Sequence, residues 1–114
     1  MSAITTHVLD TALGRPAAGV PVVLEQGDES SCWQLVGRGQ TDADGRLRSL
    51  LPDGVALVPG VYRLVFDTRR YFDALGVRTF YPTIVVVFET SVGEASYHVP
   101  LLVSPFGYTT YRGS

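Results

Sequence analysis

Seven residues of this chain could do chemistry together: His7, Arg46, His98 and the terminal run Tyr111-Arg112-Gly113-Ser114. Histidine moves a proton near neutral pH, and arginine presents planar, forked donors to carbonyl or oxyanion oxygens. The tail adds ring hydroxyls at Tyr108 and Tyr111, a guanidinium, a hydroxyl and the terminal carboxylate. This neutral-to-basic set suits hydrolysis of a planar, oxygen-rich, anionic heterocycle. Glycosidic chemistry would want paired carboxylates, and phosphoryl chemistry a metal with a phosphate cradle. Each feature also has a plainer reading. Either histidine alone is more often a satisfied structural residue, and the tail alone more often an edge strand with a solvated tip.

Other chemistries are poorly supplied. All nine basic residues are arginine, so a lysine Schiff base is excluded. HxH, HExxH and CxxC spacings are absent, and Cys32 with two distant histidines is a thin ligand set, so neither metal nor cofactor is expected. Asp42 and Asp44 resemble the start of a calcium loop, but Asp53 stands where its closing glutamate belongs. They are assigned to a turn. A GxSxG nucleophile elbow is missing as well. The net charge of −2 makes no electrostatic case for nucleic acid or an anionic membrane.

The elements that must position these residues are mostly strands. At 114 residues the chain is expected to be one domain, 1–114, and 46% hydrophobic residues suffice for a core. The lone Cys32 permits no intrachain disulfide, which fits a reducing, cytoplasmic setting. The opening MSAITTHVLD has no secretory pattern, and the longest apolar run, Ile84 to Phe88, is far short of a membrane span. Ile4 to Leu9 predicts a strand with Ile4, Thr6 and Val8 on one face and Thr5, His7 and Leu9 on the other. Gly19 to Glu25 predicts another, at an edge or starting after Pro21. Gln26 to Ser30 makes a hairpin-like connection to a return strand over Cys32 to Gly37. The turn Thr41-Asp42-Ala43-Asp44-Gly45 then delivers Arg46 ahead of a short strand at Leu47 to Leu50.

Tyr62, Leu64 and Phe66 alternate cleanly. A helix follows from Thr68 to Leu75, capped by Asp67 or Thr68 and ended by Gly76. Thr83 to Glu89 and a tail strand from Ala95 complete about eight short strands. The pattern predicts a mostly β fold, a two-sheet antiparallel sandwich with one short helix. His98, on a strand apolar on both faces, needs a hydrogen-bond partner.

Four motifs in order, Thr6-His7-Val8-Leu9-Asp10-Thr11 with Gly14-Arg15-Pro16-Ala17, then Thr41-Asp42-Ala43-Asp44-Gly45-Arg46, Tyr97-His98-Val99-Pro100-Leu101-Leu102-Val103-Ser104-Pro105 and Tyr111-Arg112-Gly113-Ser114, resemble the 5-hydroxyisourate hydrolase family. These are the transthyretin-related enzymes of urate breakdown, and the resemblance spans essentially the whole chain. It implies a transthyretin-like sandwich, a homotetramer with sites between dimers, and no cofactor. It further implies metal-independent opening of the 5-hydroxyisourate ring by His-assisted attack of water on a ring carbonyl. His7, Arg46 and His98 would be catalytic, and Tyr111, Arg112, Gly113 and Ser114 would bind substrate. Phe106 stands where many members carry tyrosine. Two other readings are a transthyretin-like carrier of a small ligand and a structural sandwich whose tail is only an edge.

Overall fold

A computed structural model describes residues 3–28, 30 and 32–114. The expected connection over Gln26 to Ser30 includes Glu29, which lies outside the described residues. Period-two alternation produces most of the strands: β1 (Ile4–Asp10), β3 (Pro21–Gly27), β4 (Trp33–Gln40), β6 (Gly60–Phe66), β7 (Ile84–Thr90) and β8 (Tyr97–Ser104). Two-residue strands β2 (Arg15–Pro16) and β5 (Arg46–Leu47) and the terminal β9 (Gly107–Thr110) add to them. One sheet runs β2-β1-β8-β9 with β5 also on β1, and the other runs β4-β3-β6-β7.

The two sheets face each other through their buried alternate residues. Ile4, Val8, Leu101 and Val103 meet Val22, Leu24, Leu64, Phe66 and Ile84, all essentially inaccessible. Burying each such side chain contributes about 1.5–3 kcal/mol. The helix α1 (Thr68–Ala74) closes one end by inserting Phe72, and Asp67 caps it by accepting from the Arg70 N–H at 3.1 Å.

The short strand expected over Leu47 to Leu50 is instead Arg46–Leu47, and two further details of the strand pattern depart from expectation. The sandwich is not wholly antiparallel, because β1 and β8 pair in parallel from Ile4↔Tyr97 to Asp10↔Val103. No hairpin joins these strands, so nothing local imposes antiparallel order. Strand β3 is also central, flanked by β4 and β6, despite Pro21. Pro21 is tolerated because it is the first strand residue, and its carbonyl accepts the Asp67 N–H at 2.9 Å.

Candidate active site

Register across β5, β1 and β8 builds the site. Residues directly opposite in a sheet share a face, and His7 stands opposite Arg46 while Thr5 stands opposite His98. Because Thr6 and Val8 are buried, Thr5 and His7 look outward, away from the core. The tail then returns to this face: Gly113 bridges to His98, donating its N–H to the His98 carbonyl at 2.8 Å. The result is a cavity of about 260 Å³ lined by Thr5, Thr6, Arg46, Arg48, Ser96, Tyr97, His98, Gly113 and Ser114; His7 is not among its lining residues.

The turn before β5 holds Arg46 in place. Asp42 Oδ1 accepts from the N–H groups of Asp44 (2.9 Å) and Arg46 (3.0 Å), and the Asp42 N–H donates to the Arg46 carbonyl at 2.8 Å. Its carboxylate is held below the ordinary aspartate value chiefly by the Arg46 N–H. The DxD motif is thus a backbone-closing turn. Gly45 sits at φ 76° and gives its carbonyl to the Val8 N–H at 2.7 Å, while a Cβ there would lie 2.4 Å from the Val8 oxygen. Only glycine lets the turn dock on β1.

The histidines are held differently. His7 Nε2 lies 2.9 Å from the Asp44 carbonyl, which can only accept, so Nε2 carries the proton and Nδ1 is the basic nitrogen. His98 Nδ1 lies 2.8 Å from the Thr5 hydroxyl, leaving Nε2 as its available nitrogen. Partial burial first, then the nearby basic groups Arg46, His7 and Arg48, push the His98 imidazole below its ordinary value. That shift favours the neutral ring, the form able to accept a proton.

The tail divides. Gly113 and Ser114 line this cavity, but Arg112 turns away: its guanidinium lies 4.8 Å over the Tyr97 ring and donates to Glu94 at 3.3 Å. Tyr111 and Arg112 instead line a second, apolar cavity of about 220 Å³ with Val86, Val87, Phe88 and Val99, between the β7 and β9 edges. Within this chain the expected substrate-binding set is therefore split between two places. Thr5, Arg48 and Ser96 were not singled out from the sequence. Thr5 and Arg48 each stand two positions from a chosen residue, so period-two reasoning had the means to find them. Ser96 likewise stands two positions from His98, inside the strand expected from Ala95, although the observed strand starts at Tyr97.

A model described as the HIUase/Transthyretin family matches residues 4–113. The chain belongs to that family. A 5-hydroxyisourate hydrolase of Salmonella dublin is 47% identical over 97% of this chain and 80% of its own length. Among solved structures, transthyretin from Sparus aurata aligns at a TM-score of 0.90 and 32% identity, covering 99% of this chain and 97% of its own. The 5-hydroxyisourate hydrolase of Klebsiella pneumoniae aligns at 0.84 and 33% identity over the whole of both chains. The backbone of the HIUase/Transthyretin family thus serves both kinds of protein.

Proposed function

We propose that this protein hydrolyses 5-hydroxyisourate to 2-oxo-4-hydroxy-4-carboxy-5-ureidoimidazoline. The observation that carries the reading is the outward cavity itself, where a neutral imidazole, two arginines and a docked tail converge. The identity to 5-hydroxyisourate hydrolases supports it. In this reading water attacks a ring carbonyl as His98 Nε2 takes its proton. Arg46 donates to the oxyanion that forms, and collapse breaks the ring C–N bond as the nitrogen regains a proton. His7, anchored through Nε2, orients water or the leaving nitrogen through Nδ1. Ser114 contributes its hydroxyl to positioning, and Arg48 holds a second substrate oxygen.

The whole chain acts as one domain in this proposal, assembled as a homotetramer with sites at the dimer–dimer interface. The cavity's position on an outward sheet face and the terminal positions of β7 and β9 in their sheets support that assembly. The single exposed Cys32 is consistent with a cytoplasmic setting. Among the described residues no helix is long and apolar enough to cross a membrane. The carrier reading is weaker, because a lipophilic ligand would gain little from two guanidiniums and an imidazole.

A paired ultraviolet trace tests the proposal. Urate oxidase generates 5-hydroxyisourate in the cuvette, and its decay is followed with wild type, His98→Ala and no added protein. Acceleration by wild type that the variant loses is expected. A folded wild-type protein that leaves the spontaneous decay unchanged sinks the proposal.

A further inference from the structure

The His98 ring is held on two flanks by elements far apart in sequence. On its Nδ1 side stands the Thr5 hydroxyl at 2.8 Å. On its Cδ2 side lies Gly113: a Cβ built there would sit 2.6 Å from Cδ2, 3.3 Å from Cγ and 3.2 Å from Pro100 Cγ. With both flanks occupied, the ring tip carrying Nε2 is the part left to face outward. We propose that Thr5 and Gly113 are positioning residues, Thr5 selecting the Nδ1–H tautomer of His98 and Gly113 admitting the imidazole by having no side chain. The proposal rests on the hydrolase reading both for the direction of the Thr5 bond and for its kinetic consequence.

The direction of the Thr5 bond follows from what a base needs. For Nε2 to accept a proton it must be bare, so Nδ1 must carry the hydrogen and donate it to Thr5 Oγ1. Thr5 can accept because it lines the cavity, where its own O–H has somewhere to donate. That geometry survives protonation, since the imidazolium keeps the same Nδ1–H bond. A hydroxyl also differs from a carboxylate in this place. It can accept from Nδ1–H without adding negative charge, so it does not oppose the neighbouring arginines in favouring the neutral ring.

Gly113 accounts for the tail in the same terms. The tail's backbone is fastened to the strand at His98 itself, through the Gly113 N–H, and its missing Cβ makes room for the ring that this residue carries. An alanine at 113 would put its Cβ 2.6 Å from the ring, so either the ring leaves the Thr5 bond or the tail leaves His98.

The test is long-range ¹H–¹⁵N correlation spectroscopy on the full chain with ¹⁵N-labelled histidine, paired with kinetics. Wild-type His98 is expected to show a protonated Nδ1 and a bare Nε2 at pH 7. Thr5→Val, close in shape and favourable in a strand, should lose that tautomer. It should also lower kcat about tenfold, the rate equivalent of one hydrogen bond, with KM little changed. Thr5→Ser should restore both, and Gly113→Ala should disturb the His98 signals and kcat together. A wild-type spectrum with the proton on Nε2 overturns the proposal, as does Thr5→Val with wild-type signals and kcat. The expected tautomer in a protein that does not accelerate 5-hydroxyisourate decay supports the clamp and overturns the hydrolase reading instead.

Discussion

Strand β1 carries two polar stations with opposite designs. At its end, Asp10 is 1% exposed and fully engaged: Oδ1 accepts from the Ala12 and Leu13 N–H groups at 3.0 Å, and Oδ2 from the Tyr71 hydroxyl at 2.8 Å. Near its beginning, Thr5 and His7 face outward, and each histidine they serve has one ring nitrogen bound and one left over. The first arrangement fastens the loop after β1 to the helix. The second leaves capacity for another molecule. A buried polar group must be satisfied to be tolerated, whereas a group that exchanges protons must keep a site unsatisfied.

The sharpest way to break this contrast is at the open station. His98→Ala should lower kcat by about 10²–10⁴-fold, the range for losing a general base, while leaving the melting temperature nearly unchanged, which calorimetry beside the ultraviolet assay would check. Tyr71→Phe should do the reverse. It leaves the buried Asp10 Oδ2 without its donor, which costs about 1–3 kcal/mol in a denaturant titration, with turnover retained.

The two stations also differ in pH dependence. Because His98 titrates below its ordinary 6.5, the acid limb of kcat/KM should lie below that value. The unfolded chain binds the extra proton between the folded and unfolded values, so this group's stability contribution is lost as pH falls through that window. Tyr71 runs the other way. Burial, and then the Asp10 carboxylate, push it from 10.0 up to about 12, so its contribution is lost as pH rises through that window. An alkaline melt in which Tyr71→Phe matches wild type would remove this distinction.

The smallest effect is expected at Arg112. Its contacts with Glu94 and Tyr97 are half exposed, so Arg112→Ala should cost under about 1 kcal/mol of stability. In the isolated chain the guanidinium lies away from the polar cavity. A loss of turnover with the fold intact would mean that Arg112 serves a site completed by another subunit, as the proposed tetramer allows.

Local chemistry made much of this legible. Alternation put Ile4 and Val8 on one face of β1 with His7 on the other and grouped Leu64 with Phe66, the helix cap was narrowed to Asp67 or Thr68, and the Asp42 to Gly45 turn announced the entry of Arg46. What stayed hidden depends on which strand lies beside which. Alternation puts Thr5 on the His7 face, but no spacing within β1 encodes the parallel pairing with β8 that sets His98 opposite it. The direction taken by Arg112 likewise depends on Tyr97 and Glu94 being near, which only the folded chain decides.

The parallel pairing of β1 with β8 has a consequence for how the protein comes into being. The contact that Thr5 makes to His98 spans 93 residues, and the buried Thr6 bond to the Val99 carbonyl spans as many. Closing so long a loop loses chain entropy before any contact rewards it, so topologies of this kind fold slowly, in about milliseconds to seconds. The reactive face cannot be rehearsed by a fragment. During synthesis β1 waits for its neighbour until nearly the whole chain has emerged, with its edge open to strands of other molecules. Catalytic competence and the end of that exposure therefore arrive in the same step.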